Sequence, residues 1–203
     1  MAQNATMAID GPPRRDARMA MSAPRRPTIL GEIGLPRMLA VAAVLVVAVA
    51  LQSTLLAQVT VLGVIPQVVL VVVVCLAYLD GERVGVVTGF FAGLLQDLLP
   101  FPTIIGLTAL VYTLVGYAVG NLRQYAPAES VWTPVLAVAV ASAVAQFSYA
   151  SLAIILGEPW VGLGYTARVA GLVVLYNTLL TPFVFPLVRR VADRFRPERV
   201  HRW

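Results

Sequence analysis

The sequence predicts an all-α integral membrane protein with six transmembrane helices. Of its 203 residues, 59% are hydrophobic and only 12% are charged, whereas a soluble domain is about half apolar and a quarter charged. The mean hydropathy is +0.83, and the apolar residues form six runs divided by polar or turn-rich segments. All the basic residues are arginines, and most lie in the two terminal segments. Together these observations indicate a polytopic membrane protein.

The chain divides into a membrane domain between two basic tails. Residues 1–35 are rich in Ala, Pro, Met and Arg without an apolar period, which predicts a disordered Arg-rich cytoplasmic tail. Residues 36–190 form the six-helix domain, and residues 191–203 form a second basic cytoplasmic tail. The predicted spans are about 38–57, 64–79, 84–99, 103–119, 131–156 and 165–188.

Helix-breaking and turn residues set the ends of the first three spans. The apolar run that starts at Met38 exceeds the roughly 7–15 residues of a signal-peptide core, so it is an uncleaved span. Pro66 suits the first turn of the second helix, where a missing N–H costs little. The polar turn Asp80–Arg83 separates spans two and three, and Pro100 and Pro102 end the third span.

Two longer connections separate the remaining spans. Asn121–Ser130 is the longest interior polar loop and lies between spans four and five. Gly157–Gly164 is a turn-rich connection that contains Trp160, a residue suited to a membrane interface.

The arginines orient the spans. If both tails are cytoplasmic, the loops that contain Arg83 and Arg123 are cytoplasmic too. The outer loops, 58–65, 100–103 and 157–164, then contain no arginine. Because cytoplasmic loops carry an excess of basic residues, we expect both termini to be cytoplasmic. The Arg-rich tails are expected to contact anionic lipid rather than nucleic acid.

A stripe of small residues marks the third span. Gly85, Gly89, Gly93 and Asp97 recur every fourth residue and so share one helix face. Glycines on such a face allow another helix to approach closely. The fourth span has small residues spaced by three and four, namely Gly106, Ala109, Thr113, Gly116 and Gly120. We interpret the stripe as a helix-packing or partner-contact surface used in assembly.

Asp97 is an ionisable residue at the edge of an apolar span, and such residues are rare and often functional. In the topology above it lies toward the outer side, as does Arg168 in the first turn of span six. One hypothesis is an Asp97–Arg168 ion pair. The alternative is that Arg168 extends to the interface while Asp97 accepts hydrogen bonds at the water boundary.

The sequence contains no catalytic constellation. Cys75 is the only cysteine and His201 the only histidine, which excludes the usual triads and a histidine-rich metal site. No phosphate-binding loop or nucleophile elbow occurs. The acids Asp80 and Glu82 are expected to be solvated in an exposed turn. We therefore expect a protein that is not an enzyme and has no cofactor or metal.

The segment Pro66–Leu99, with its pattern G-x-x-x-G-F-x-x-G-L-x-x-D, resembles the rod shape-determining protein MreD family. Its continuation Gly106–Gly120 and the late Tyr-Asn-Thr-Leu-Leu with Pro182 extend the resemblance over about residues 38–190. The positions that match the family pattern are Pro66, Gly89, Phe90, Gly93, Asp97, Gly106, Gly116, Tyr117 and Asn177.

The resemblance implies a non-enzymatic membrane scaffold of the cell-wall elongation machinery, involved in cell shape determination and peptidoglycan synthesis. It implies a fold like that of the six-helix substrate-binding components of energy-coupling-factor transporters. The implied partners are an MreC-like membrane protein, an MreB-like actin homologue, and the RodA and penicillin-binding-protein synthases.

The alternative is a substrate-binding membrane component of a vitamin-type transporter. Few polar groups are available within the spans for a polar ligand. They are Gln52, Gln96, Asp97, Gln146, Arg168 and Asn177.

Overall fold

The computed structural model describes residues 35–56, 58, 63–99, 104–125, 132–157 and 163–195, all within one compact unit, Gly34–Trp203. This part of the chain forms six α-helices and contains no β-strand. The helices are α1 Leu35–Leu51, α2 Val68–Asp80, α3 Glu82–Asp97, α4 Leu107–Leu122, α5 Trp132–Ile155 and α6 Leu163–Arg194. A π-helical turn, Gln52–Leu56, extends α1, and a 3₁₀ turn, Arg123–Tyr125, extends α4. The predicted N-terminal tail lies almost wholly outside the described residues.

Within the described residues, three helices are long and apolar enough to cross a membrane: Pro36–Thr54, Trp132–Ile155 and Gly164–Arg194. This confirms the all-α class and agrees with insertion in a membrane. That all six helices cross it stays a prediction.

Helix α2 lies at the centre of the bundle. Every residue from Val68 to Ala77 is buried, and the helix packs against each of the other five. The valine-rich sequence follows from this position, because a helix enclosed on all sides is apolar all round. At about 1.5 Å per residue its 13 residues span only about 20 Å. Since protein surrounds it, the helix does not need the length of a lipid-facing span.

Helix α6 continues beyond the predicted end of its span. It passes through Pro182 and Pro186 and ends at Arg194, so the start of the predicted basic tail is helical. A proline removes one backbone hydrogen bond of the helix. Around this point the hydroxyls of Thr178 and Thr181 donate to the carbonyls of Val174 and Asn177. Neither bond involves the carbonyls that Pro182 and Pro186 leave without an N–H donor, which are those of Thr178 and Pro182.

The outer surface of the bundle is apolar. On α5 the exposed large side chains Leu136, Val140 and Val144 follow one another at intervals of four residues. On α6 a similar stripe is formed by Leu175, Leu179, Phe183 and Leu187. Apolar stripes that face away from the core are typical of helices whose outer face contacts lipid.

Candidate functional site: the α3–α4 seam and the cavity beside Asp97

The glycine stripe of α3 packs against α4 of the same chain. A Cβ added to Gly85 would collide with the carbonyl of Gly116, and one added to Gly116 would collide with the carbonyl of Gly85. A Cβ at Gly89 would collide in the same way with the carbonyl of Tyr112. These contacts involve backbone atoms, which cannot move aside as a flexible side chain can. The glycines therefore allow the two backbones to touch.

The same contact continues to both ends of the helix pair. Gly93 lies against the backbone of Ala109, and Gly120 lies against the backbone of Glu82. The stripe is thus covered within the chain along its whole length. Of the two roles predicted for it, helix packing agrees with this geometry, whereas partner contact at the glycines does not, because α4 of the same chain covers them.

We call this contact between α3 and α4 the seam. Two other residues predicted to make contacts lie outside it. Phe90 is 47% exposed and Tyr117 is 49% exposed. The Phe90 ring makes an edge-to-face contact with the ring of Phe91, with centroids 5.5 Å apart. Unlike the glycines, these aromatic side chains are available to lipid or to another protein.

Asp97 ends α3 and caps the beginning of α4. Its Oδ2 atom accepts hydrogen bonds from the backbone N–H groups of Gly106, at 2.9 Å, and Ala109, at 3.2 Å. Gly106 has a φ of +96°, a conformation that favours glycine. A carboxylate at a helix N-terminus satisfies free N–H donors and interacts favourably with the helix dipole. Asp97 is therefore a link between the two seam helices.

The predicted ion pair between Asp97 and Arg168 is not formed. Arg168 is exposed on α6, whereas Asp97 is only 4% exposed. The N-terminus of α4 supplies the hydrogen bonds of the carboxylate. Within the described residues the alternative position of Arg168, extended at the surface, agrees better with the structure.

Asn177 joins three helices at the start of α2. Its Oδ1 atom accepts from the N–H of Gln67 at 3.1 Å, and its Nδ2 atom donates to Ser142 Oγ at 2.9 Å. The side chain is fully buried.

Gln52, in the π-helical turn, accepts from the N–H of Val69 at 3.0 Å. Side chains from α1 and α6 therefore cap the buried N-terminus of α2, which has free N–H groups like any helix start. Pro66, which precedes this end, is buried as well.

The other end of α2 contains an ion pair that was not predicted from the sequence. Arg37 of α1 pairs with Asp80 of α2, and their side chains are 14% and 2% exposed. Arg123 donates from Nη1 to the carbonyl of Leu79 at 2.6 Å. The expectation that Asp80 is solvated in an exposed turn was wrong because α1 covers it, whereas Glu82 is indeed exposed. Arg37 and Asp80 lie on the same predicted side of the membrane, and this is the feature of the sequence that indicates such a pair.

A cavity of about 440 Å³ lies where α1 and α3 end and α2 and α4 begin. Four of the polar residues singled out from the sequence line it, and Arg168 and Asn177 do not. Its polar lining consists of Gln52, Ser53, Gln67, Gln96, Asp97, Thr108, Tyr112, Gln146 and Tyr149. The hydroxyl of Tyr112 donates to Gln96 Oε1 at 3.1 Å. The described residues include no cluster of three or more metal-binding side chains.

These observations define a helical membrane protein in which several buried polar side chains connect helices. A family model described as rod shape-determining protein MreD matches residues 35–191. The chain belongs to the MreD family, which confirms the resemblance seen in the sequence. No curated protein and no solved structure gives a significant match.

Membership in this family implies a role in rod shape determination and a location in the membrane. The family belongs in general to the rod-shape machinery that includes MreB and MreC, and its members are structural membrane proteins rather than known enzymes.

Proposed function

We propose that this protein is a non-enzymatic membrane scaffold of the cell-wall elongation machinery, involved in peptidoglycan synthesis. The match to the MreD family over residues 35–191 carries this proposal. The roles of the polar residues support it: Asp97 caps α4, Asn177 caps α2, and Arg37 pairs with Asp80. Each of these groups holds helices together, as a scaffold requires.

The proposed partners are an MreC-like membrane protein, an MreB-like actin homologue, and the RodA and penicillin-binding-protein synthases. Because α4 covers the glycine stripe, we assign partner contact to the outward side of α3 and α4. Phe90 and Tyr117 are exposed there, and exposed aromatic side chains are common anchors of protein interfaces. At the cytoplasmic end, the exposed Arg189, Arg190 and Arg194 of α6 suit anionic lipid headgroups.

The proposed topology has six spans and cytoplasmic termini. It can be tested with single cysteines in a Cys75→Ala background, since Cys75 is the only native cysteine. Ile105 and Gln124 are both exposed, at opposite ends of α4. A membrane-impermeant maleimide should label Ile105→Cys in intact spheroplasts and Gln124→Cys only after permeabilisation. The reverse pattern would contradict the orientation.

Depletion of the protein in its host tests the scaffold role. We expect rod shape or polar growth to be lost, and vitamin uptake to remain at its normal rate. Re-expression of the wild-type chain should restore shape. Tyr117→Ala is expected to restore it less well than Leu136→Ala, a matched change of an exposed residue on α5. Unchanged shape after full depletion would contradict the proposal.

The second candidate is a substrate-binding component of a vitamin-type transporter. The cavity beside Asp97 is the observation that favours it, because ligand sites commonly have volumes of about 300–1,000 Å³. The same depletion separates the two functions. Reduced uptake of a vitamin with normal cell shape would support the transporter instead of the scaffold.

A further inference from the structure

We propose that the cavity beside Asp97 is a binding site for a small polar molecule, or a lipid headgroup, that carries a protonated primary amine. This site is additional to the proposed scaffold role and does not depend on it. It involves the end of the bundle formed by α1–α5, away from the outward face assigned to partner contact.

Two buried acceptor atoms, on residues that line the cavity, carry the inference. Asp97 Oδ1 and Gln67 Oε1 are both inaccessible to solvent and accept no hydrogen bond within the described residues. Both residues line the cavity. Buried polar atoms nearly always have a partner, and leaving one without a donor is unfavourable. These two oxygens therefore indicate that a hydrogen-bond donor from outside the chain completes the site.

The orientation of Asp97 makes its free oxygen a fixed acceptor. Oδ2 is held by the N–H groups of Gly106 and Ala109, so the carboxylate plane cannot turn without losing the cap of α4. Oδ1 is the atom without a partner, and a ligand reaches it once a neighbouring side chain that covers it moves aside.

The charge of the lining selects the class of ligand. Asp97 is its single charged residue, and no basic side chain occurs among the described lining residues. An anionic ligand would be repelled, whereas a protonated amine offers both a positive charge and N–H donors. Tyr112 and Tyr149 also line the cavity, and aromatic rings attract cations that lie over their faces.

The amide side chains that line the cavity can form hydrogen bonds with the other polar groups of such a molecule. Gln52, Gln96 and Gln146 line the same space, and an amide both donates and accepts hydrogen bonds. Gln52 belongs to the π-helical turn that extends α1, a type of irregularity that is frequent at functional sites. The volume of about 440 Å³ is far larger than the roughly 30 Å³ that one water molecule occupies in the liquid.

The test uses the full chain in nanodiscs of phosphatidylcholine, a lipid without a primary amine. The thermal unfolding midpoint is measured with ethanolamine and with glucosamine, each against its neutral analogue, ethylene glycol or glucose. We expect at least one amine to raise the midpoint saturably and its neutral analogue to leave it unchanged. A parallel series with phosphatidylethanolamine in the nanodisc identifies the source. If the lipid raises the midpoint and the soluble amines do not, the site takes a headgroup.

Two variants separate binding from folding. Asp97→Asn retains an acceptor for the cap of α4 and replaces the free carboxylate oxygen by an amide donor, so the amine response should weaken at least tenfold in apparent affinity. Gln146→Leu changes a lining residue on α5 without touching the cap. Its response should be weakened too, and this variant carries the test if Asp97→Asn does not fold. Glu82→Gln, at an exposed acid outside the cavity, should respond like the wild type.

Three results would overturn the assignment. The first is a midpoint that responds to none of the amines in either nanodisc, which would indicate a cavity that contains water alone. The second is an equal response to amines and neutral analogues. The third is an undiminished response in folded Asp97→Asn or Gln146→Leu.

Discussion

Gly85 of α3 and Gly116 of α4 lie so close that a Cβ on either residue would collide with the carbonyl group of the other. This reciprocal contact brings the two backbones together, and the α3–α4 pair is the most extensive helix contact in the described bundle. In a membrane, where lipid is as apolar as leucine, close packing is a main source of helix association. The glycine stripe is therefore a condition for the fold of the domain.

Gly89→Ala and Gly171→Ala should have opposite effects on stability. At Gly89 a Cβ meets the Tyr112 carbonyl, whereas at Gly171, in α6, it meets nothing within 4 Å. Forcing a group into a packed contact costs about 1–3 kcal/mol. Replacing an exposed helical glycine by alanine stabilises the helix by up to about 1 kcal/mol. Thermal unfolding in detergent measures both changes. Equal midpoints for the two variants would contradict close packing of α3 against α4 at Gly89.

Asp97→Ala should destabilise the domain more than Asp97→Asn. Alanine leaves the N–H groups of Gly106 and Ala109 without an acceptor, and losing an N-terminal cap costs about 0.5–2 kcal/mol. Asparagine retains a carbonyl oxygen that can accept both bonds. Hydrogen exchange of the first turn of α4 reports the effect directly. If the two variants exchange at the same rate there, Asp97 is not a cap.

Loss of either partner of the Arg37–Asp80 ion pair should be strongly destabilising. Removing one member of a buried pair leaves an uncompensated charge and costs about 3–5 kcal/mol. Arg37→Met and Asp80→Leu are therefore each expected to lower the unfolding midpoint. The double variant should recover much of the loss, because no buried charge remains. A double-mutant cycle measures the coupling, and purely additive effects would show that the pair contributes nothing.

Asn177→Leu should weaken the junction of α2, α5 and α6. The substitution removes the acceptor of the Gln67 N–H and the donor to Ser142, and a buried group left without a partner costs about 1–3 kcal/mol. Leu179→Ala, on the exposed face of the same helix, is the control and should change the midpoint little. A larger effect of the control would contradict the role of Asn177.

Much of the local structure could be predicted from residue spacing. The interval of four between Gly85, Gly89 and Gly93 predicts a flat helix face, and that face exists because side chains four apart lie above one another. The helix break at Gly81, within the predicted turn Asp80–Arg83, and the end of α3 at Asp97, shortly before Pro100 in the sequence, likewise follow from short-range rules. Each of these features depends on neighbours within one or two helical turns.

The residues that meet across the bundle were harder to predict. Asp97 bonds to α4 rather than to Arg168, and Asp80 is buried by Arg37 rather than solvated. The sequence does not specify which helix faces which, so it could not select these partners. No feature of the sequence marks Gln67 as a residue of the cavity, because its role depends on the packing around it.

The sequence by itself determined that this protein is a helical membrane protein of the MreD family, with small residues on one face of α3 and α4. Composition, periodicity and the family pattern are properties of the chain, so they can be read without coordinates. Only the tertiary structure decided that the two glycine faces cover each other, that Asp97 caps α4, and that polar residues from four helices meet at one cavity. These are pairings between distant segments, and the packing of the whole bundle selects them.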